Sequence, residues 1–364
     1  MKYPVYKPYF NGKEKLYVND CIDSTWISSK GSYIERFEKQ YSEYIGTKYA
    51  STVSNGTVAL HLALMALGVD VGDEVVVPTF TYIASVNAIN YCGATPVFAD
   101  SEKDYWQLDP SGIEKLITPR TKVILPVHLY GHPYDMDAIC AIAKKHNLFV
   151  VEDCAEAIGS QIAGKKVGSF GDIGTFSFFG NKTITTGEGG MIVTNDKTVY
   201  ERCVHLKGQG LAKHRQYWHD VVGYNYRMTN ICAAMGVAQM ETVENVIAQK
   251  RQIAEWYKKY LSKMHVSFHG EKNGVTNTYW MCSILVDDPK DRDLLRKYLS
   301  DAGIETRPLF YPVHTMPMYS AKYKRFSVAE DIGHRGINLP SYPDLGEPDV
   351  KFIAEQVNNY FKLC

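Results

Sequence analysis

The stretch YASTVSNGTVALHLALMALG, residues 49–68, contains the two patterns that decide the fold. Its first part, Tyr49–Val53, is short and predicts a β-strand. Its second part, Thr57–Leu67, is strongly apolar and predicts a buried α-helix that ends at Gly68. The short polar turn SNGT, Ser54–Thr57, connects the strand to the helix. A strand that passes so quickly into a helix is typical of an α/β protein.

The same alternation continues for about a hundred residues. The strand candidates are strongly apolar, with little polar alternation, which indicates a sheet covered by helices on both faces. Strands that alternate with helices predict a mostly parallel, doubly wound sheet. The further strand candidates are EVVVP, TPVFAD, KVILPVHLY and LFVVED, and the helix candidates among them are Ser85–Tyr91 and Asp135–His146.

The pattern changes near Met228, which suggests three parts of the chain. Residues 1–228 are predicted to form the large α/β domain, including an N-terminal arm. Residues 229–264 are predicted to form one long connecting helix. Residues 265–364, which mix strands such as YWMCSILVDD with helices such as DRDLLRKYLSDAG, are predicted to form a smaller α+β domain.

Composition excludes several functions and indicates a cytoplasmic protein. Lys+Arg and Asp+Glu both number 40 in the 364 residues, so bulk electrostatic binding to nucleic acid is not expected. The eight cysteines form no CxxC pair, which argues against a zinc site or a disulfide framework. The N-terminus lacks a signal-peptide core, and no apolar stretch is long enough to cross a membrane. We expect no metal and no membrane contact.

Polar clusters follow the predicted strands at the positions where open α/β sheets bind ligands. In SNGT, Gly56 and Thr57 open a helix, whose free N–H groups and positive dipole end suit a phosphate. An ordinary N-cap explains the same residue types equally well. In PTFTY, Tyr82 offers a ring that stacks on a flat ligand, although such an aromatic is more often part of a core.

A carboxylate cluster and a lysine complete this set. Asp153 ends the apolar strand of VVEDCAEA and Glu156 follows in the next turn, so a cationic partner or a helix cap is expected there. Lys182 lies in SFFGNKTITTGEGG, residues 177–190, among aromatic and small residues. The spacing does not match the GxxxxGK[ST] of a P-loop, and the stretch leads into a strand. A desolvated lysine loses proton affinity and becomes nucleophilic.

These four parts together suit pyridoxal 5′-phosphate. The lysine binds its aldehyde, the glycine-containing turn its phosphate, the aromatic ring its pyridine ring, and the carboxylate its ring nitrogen. The sequence therefore predicts a cofactor that alternates between the pyridoxal (PLP) and pyridoxamine (PMP) forms during amino-group transfer.

Across nearly its whole length the chain also resembles the DegT/DnrJ/EryC1/StrS sugar aminotransferases, which have the type I fold of PLP enzymes. The resemblance implies that Lys182 and Asp153 are catalytic, and that Glu156 and Tyr82 contact the cofactor ring. It implies phosphate contacts from Gly56, Thr57 and Ser177. The matching stretches are WISSKGSYIERFE, SNGTVALHLAL, PTFTYIASVNAI, VVEDCAEAIGS, SFFGNKTITTGEGG, GYNYRMTNICAAMG and RPLFYPVH.

The resemblance also implies partners. Asn225 of GYNYRM would reach the phosphate in a neighbouring subunit, so a homodimer with shared sites, or a higher oligomer, is expected. FFGNKTITTGEGG and RPLFYPVHTMPMY are similar to a branch of the family that uses L-glutamate to aminate C4 of a GDP-linked 4-keto-6-deoxy sugar for O-antigen synthesis. Arg227, Tyr311 and His314 are candidates for binding that substrate, with a salt bridge or plain packing as alternatives.

Two residues depart from the family pattern, and other functions stay open. Many members have histidine where this chain has Phe179, and glutamine or histidine where it has Glu156. A dTDP- or UDP-linked sugar is the alternative substrate. A PLP-fold protein that acts as a regulator without catalysis is the alternative from another class, and the set of Lys182, Asp153 and Ser177 argues against it.

Overall fold

A seven-stranded sheet forms the centre of the N-terminal part of the protein. The computed structural model describes residues 1–262, 264–321 and 324–363. The strands are β1 (Tyr49–Val53), β2 (Glu74–Pro78), β3 (Thr95–Ala99), β4 (Thr121–Ile124), β5 (Phe149–Asp153), β6 (Gln161–Ile162), β7 (Lys165–Lys166), β8 (Ile173–Ser177), β9 (Gly190–Thr194), β10 (Val266–Phe268), β11 (Val275–Thr276), β12 (Cys282–Val286), β13 (Arg307–Pro308) and β14 (Gly336–Leu339).

The large sheet has the order β1-β9-β8-β5-β4-β2-β3. Strand β9 is antiparallel to both of its neighbours, and the remaining pairs of this sheet are parallel. The predicted α/β fold with a mostly parallel sheet is therefore confirmed. Because β1, β2, β5 and β8 run in one direction, their carboxyl ends lie at one edge of the sheet.

Helices cover this sheet and fill the rest of the chain. They are α1 (Lys13–Asp23), α2 (Ser32–Ile45), α3 (Gly56–Ala66), α4 (Ile83–Tyr91), α5 (Pro110–Ile113), α6 (Met136–His146), α7 (Lys197–Lys207), α8 (Asn230–Met240), α9 (Val243–Tyr260), α10 (Pro289–Asp301), α11 (Pro317–Ser320), α12 (Ser327–Arg335) and α13 (Glu347–Leu363). Short 3₁₀ helices lie at Glu114–Leu116, Leu129–Gly131 and Val313–Thr315. Among the described residues, no helix is both long enough and apolar enough to cross a lipid bilayer.

Helix α3 fixes the position of the first polar turn. It packs against the strands β8 and β9 and against the helices α4 and α7, so most of its residues are buried. The Asn55 side chain caps it by accepting a hydrogen bond from the Val58 N–H at 3.0 Å. The uniformly apolar sequence of this segment thus produces a core helix whose N-terminus lies at the carboxyl edge of the sheet.

The long helix predicted for residues 229–264 is wrong, because the structure divides this stretch into α8 and α9. Thr242 has a non-helical backbone, with φ −126° and ψ 6°, and its hydroxyl donates to the Gln239 carbonyl at 3.3 Å. Such a hydroxyl competes with the helical hydrogen-bond pattern. The two helices also have different partners, since α8 packs against α1 and α2 whereas α9 packs against α13.

A second sheet lies in the C-terminal part of the chain. It is antiparallel, with the order β10-β12-β14-β13, and its hydrophobic cluster includes residues of α9, α10 and α13. A small three-stranded sheet, β11-β6-β7, joins this part to the segment that follows β5. The mixed α+β content agrees with the predicted pattern, and the exact domain boundaries stay a prediction.

Candidate active site

The first polar cluster brings Gly56 against Ser177. A Cβ atom added to Gly56 would lie 2.7 Å from the Cβ of Ser177, so only glycine fits without a shift of the neighbouring strand. Ser177 ends β8, and its hydroxyl accepts a long hydrogen bond of 3.4 Å from the Phe179 N–H. The first N–H groups of a helix have no acceptor inside the helix. Gly56, Thr57 and Ser177 therefore form a concave polar turn suited to an anion.

Asp153, at the end of β5, is buried next to helix α4. Its Oδ2 accepts a hydrogen bond from the Ser85 hydroxyl at 2.7 Å, and its Oδ1 accepts one from the Ala155 N–H at 3.1 Å. Burial raises the pKa of Asp153, and the Ser85 hydrogen bond opposes that shift. A buried carboxylate held by two donors is ready to pair with a cation.

Lys182 and Glu156 form the central pair of the site. The Lys182 Nζ lies 3.6 Å from a Glu156 oxygen and 3.9 Å from the centre of the Trp280 ring. The other Glu156 oxygen accepts a hydrogen bond from the Tyr130 N–H at 2.9 Å. Burial lowers the pKa of the Lys182 amine and raises the pKa of Glu156 to about 7. The amine therefore loses its proton more readily than an exposed lysine and becomes a better nucleophile.

The residues present fit pyridoxal 5′-phosphate. Lys182 offers an amine for an aldehyde, and Asp153 a carboxylate for a protonated ring nitrogen. The absence of a Cβ at Gly56 lets the N-terminus of α3 approach Ser177 closely, which brings free N–H groups and a hydroxyl together for a phosphate. Tyr82, directly before α4, has 57% of its surface exposed, and its ring lies 5.7 Å from that of Phe310. The Tyr82 ring is therefore free to stack on a ligand.

The residues predicted for the substrate and the neighbouring subunit lie in different surroundings. Asn225 and Arg227 are both exposed and pair with each other, the Arg227 Nη2 donating to the Asn225 Oδ1 at 3.1 Å. Tyr311 is half-exposed, and its hydroxyl accepts a hydrogen bond from Arg292 at 3.5 Å. Because these side chains are accessible, a phosphate contact by Asn225 and substrate contacts by Arg227 and Tyr311 stay proposals.

His314 is buried in the fold. Its Nδ1 lies 2.7 Å from the Thr79 hydroxyl, and its Nε2 lies 3.2 Å from Glu330. Both ring nitrogens thus have partners inside the protein. These contacts fit the packing alternative, and the assignment of His314 to the substrate stays a prediction.

Sequence reasoning missed three residues around the lysine. Ser85 was identified only as the start of a helix, although a hydroxyl in the first turn after β2 is a detectable signal beside a strand end. Tyr130 and Trp280 gave no such signal. Their rings stack 6.0 Å apart at 12°, and the Trp280 side chain comes from a segment about a hundred residues beyond Lys182.

A second buried carboxylate next to Asp153 has a structural role. Glu152 accepts hydrogen bonds from the N–H groups of Gly168, Phe170 and Gly171 at 2.7–2.8 Å, and it lies 3.2 Å from His128 Nε2. The other ring nitrogen of His128 accepts a hydrogen bond from the Tyr134 N–H at 3.2 Å. Although His128, Glu152 and Cys154 lie close together, these bonds already occupy the histidine and the glutamate.

The fold and the site define a class, the type I enzymes that use pyridoxal 5′-phosphate. Within that class the chain belongs to the DegT/DnrJ/EryC1/StrS aminotransferase family, which matches residues 8–358. Its chemistry is therefore that of a PLP-dependent sugar aminotransferase.

Known relatives match over the full length. The GDP-perosamine synthase of Escherichia coli O157:H7 is 63% identical over 362 residues, which are 99% of either chain. The GDP-perosamine synthase of Vibrio cholerae is 51% identical over 362 residues, 98% of this chain and 99% of that one. Among solved structures, the PLP-form of Spr1654 from Streptococcus pneumoniae is 27% identical, covers 100% of this chain and 99% of its own, and has a TM-score of 0.95.

Proposed function

We propose that this enzyme moves the amino group of L-glutamate to C4 of GDP-4-keto-6-deoxy-D-mannose and so forms GDP-perosamine. The observation that carries the aminotransferase chemistry is the buried Lys182 amine, which lies 3.6 Å from Glu156 and interacts electrostatically with the buried Asp153. The choice of sugar and nucleotide is supported by the full-length relative that is 63% identical and is a GDP-perosamine synthase. O-antigen synthesis as the destination of the product, and the cytoplasm as its location, are part of the same proposal.

Lys182 has two roles in this proposal. Its amine would hold the aldehyde of the cofactor, and the free amine would move a proton to and from the carbon that gains or loses the amino group. Pyridoxal 5′-phosphate, when bound, supplies an electron sink that lets an amino group leave one carbon and join another. Because burial lowers the pKa of Lys182, the amine is available in its neutral form at a lower pH than an exposed lysine.

The two carboxylates have different tasks. Asp153, held by Ser85 and the Ala155 N–H, would keep its negative charge beside the ring nitrogen of the cofactor. Glu156 is tied to the Tyr130 N–H and lies nearest to the lysine amine, so it controls the charge around Lys182. A carboxyl whose pKa is about 7 exchanges a proton near neutral pH, which suits a group beside a proton-carrying amine.

The remaining contacts orient the cofactor and close the site. Gly56, Thr57 and Ser177 would hold its phosphate, and Tyr82 would cover one face of its ring. Asn225 of a second copy of the chain would reach the same phosphate, so the active enzyme is a homodimer. Arg227 and Tyr311 are the candidates for contact with the nucleotide sugar, since an arginine and an aromatic hydroxyl both suit a pyrophosphate.

The test is a product assay with matched substrates. The purified enzyme is incubated with L-glutamate and with the GDP-, dTDP- or UDP-linked 4-keto-6-deoxy sugar, and the products are identified by mass spectrometry. We expect an amino sugar from the GDP substrate alone, and none when the Lys182→Ala variant replaces the enzyme. Amination of only the dTDP- or UDP-linked sugar would replace the proposed substrate. Failure of every sugar, with no loss of the visible cofactor band on adding glutamate, would support the regulator instead.

A further inference from the structure

The loop that carries Lys182 is held at two consecutive backbone carbonyls by side chains from distant parts of the chain. The Trp280 Nε1–H donates to the Asn181 carbonyl at 2.7 Å. The Tyr6 hydroxyl donates to the Lys182 carbonyl. The loop itself supplies a tight turn, in which the Lys182 N–H donates to the Phe179 carbonyl at 2.9 Å. The lysine backbone is therefore fixed from three directions.

Trp280 makes two contacts with the lysine segment. Besides its hydrogen bond to Asn181, the face of its ring lies 3.9 Å from the Lys182 Nζ. Only 5% of Trp280 is exposed, and its ring stacks against Tyr130 and Phe310 at 6.0 Å and 6.5 Å. Because this stack leaves the ring little freedom, Trp280 sets both the loop position and the surroundings of the amine.

Tyr6 belongs to the N-terminal arm, residues 2–7, and backbone hydrogen bonds attach this arm to the C-terminal part of the chain. The neighbouring Val5 N–H donates to Glu305 at 3.0 Å, and the Val5 carbonyl accepts from the Ser341 N–H at 3.2 Å. The buried Lys250 amine lies 5.7 Å from the centre of the Tyr6 ring and donates to the Ser341 carbonyl at 2.7 Å. The Tyr6 hydroxyl is thus held in place by contacts that do not involve the lysine loop.

We infer that Tyr6 and Trp280 are positioning residues for Lys182. Neither donor acts on a substrate in this proposal. Together they hold the lysine backbone so that the Nζ stays in the buried space between Glu156 and the Trp280 ring. A shift of about 1 Å in a reacting group lowers the rate by up to about a hundredfold. Holding the loop at two consecutive carbonyls therefore preserves the rate by preventing such a shift of the amine.

The test compares Tyr6→Phe and Trp280→Phe with the parent enzyme, using two measurements. Tyr6→Phe removes one hydroxyl, and Trp280→Phe removes the N–H while leaving an aromatic face. The first measurement is kcat and KM for glutamate in the half-reaction that converts the PLP form to the PMP form. The second measures Lys182 acylation in the cofactor-free full chain at a series of pH values, with peptide mapping.

We expect kcat to fall by about tenfold to a hundredfold in each variant, with little change in KM. The pH at which Lys182 becomes half-reactive should rise, because a less confined amine is better hydrated and returns toward the ordinary lysine value. The double variant should lose less than the product of the two single losses, since both donors act on one loop.

Tyr3→Phe is the matched control on the same arm. The Tyr3 hydroxyl donates to Asp349 at 3.0 Å and not to the lysine loop, and the Val5 backbone bonds that hold Tyr6 remain when it is removed. It should leave kcat and the Lys182 reactivity unchanged. Normal kcat and reactivity in both Tyr6→Phe and Trp280→Phe would overturn the inference, as would an equal effect of Tyr3→Phe.

The inference rests on Lys182 as the cofactor-binding lysine, and that assignment is checked separately on the parent enzyme. Borohydride reduction of the parent enzyme, followed by peptide mapping, should place the cofactor on Lys182. A label on another lysine would refute the proposed chemistry itself, whereas a correct label with unaffected variants refutes only the positioning roles.

Discussion

Replacing Glu156 by glutamine should change how the stability of the cofactor-free enzyme depends on pH. Glu156 is 4% exposed, and burial raises its pKa from an ordinary 4.5 to about 7. The difference of about 2.5 pH units corresponds to about 3 kcal/mol, at about 1.4 kcal/mol per unit. Because the folded state holds the proton more tightly, this contribution is present at low pH and is lost as the pH rises through about 7.

The glutamine variant isolates that effect. Its amide oxygen keeps the hydrogen bond from the Tyr130 N–H, but the side chain has no proton to lose. We expect the parent enzyme to lose about 2 to 3 kcal/mol more stability than Glu156→Gln between pH 5 and pH 8. The neighbouring Lys182 amine, 3.6 Å away, stabilises the ionised carboxylate, and the pKa of about 7 already includes that effect.

Urea denaturation of the cofactor-free chains, at one protein concentration and several pH values, measures the difference. The parent enzyme and the variant should have similar stability at pH 5, where the folded glutamate is neutral, and this similarity is the internal control. At pH 8 the variant should be the more stable of the two. Identical pH profiles, or a variant that loses stability faster as the pH rises, would refute the reasoning.

Four further predictions concern the same site. Lys182→Ala should bind PLP without turnover, as visible absorbance and product assays would report. Asp153→Asn should keep the fold, by circular dichroism, yet lose about two or more orders of magnitude in kcat, and a near-normal kcat would remove its role. Ser85→Ala removes a donor to the Asp153 carboxylate, so it should raise the pKa of Asp153 and move the acid limb of the kcat profile to higher pH; an unmoved limb would separate Ser85 from the chemistry. Mixing inactive Lys182→Ala with an inactive Asn225→Ala chain should restore activity in heterodimers, whereas a fully active monomer in sedimentation would contradict the shared site.

The sequence was sufficient for the parts of the fold that local patterns determine. Strand β1 was predicted residue for residue, and α3 and α6 within a residue, because apolar runs and polar turns mark their ends. The helix break at Thr242 was missed because neither glycine nor proline marks it. It depends on a threonine hydroxyl and on different packing partners for α8 and α9, and neither can be read from local periodicity.

The active site likewise contains residues that local sequence patterns indicate and residues that only the packing of the fold brings in. Lys182, Asp153 and Glu156 lie in polar clusters at strand ends, so the rule for ligand sites in open sheets singled them out, whereas Ser177 was predicted from the family resemblance. Trp280 and Tyr6 reach the lysine loop from about a hundred and about 175 residues away in the chain. Such contacts depend on how the C-terminal sheet and the arm pack against the large sheet, which no motif records. His314 shows that a motif alone does not reveal a side chain's partners, since its ring nitrogens contact Thr79 and Glu330 inside the fold.

Burial is the common cause of the site's chemistry. It lowers the pKa of Lys182 and raises the pKa values of Glu156 and Asp153, so all three groups are driven toward their neutral forms. Asp153 resists this because Ser85 and the Ala155 N–H donate to its oxygens, whereas Glu156 has a single backbone donor and the amine itself. The two carboxylates therefore differ in the kind of donor they have, because a serine hydroxyl and a backbone N–H keep their protons whereas the Lys182 amine exchanges its own. Asp153 is accordingly suited to pair with a cofactor nitrogen, and Glu156 to exchange a proton beside the lysine.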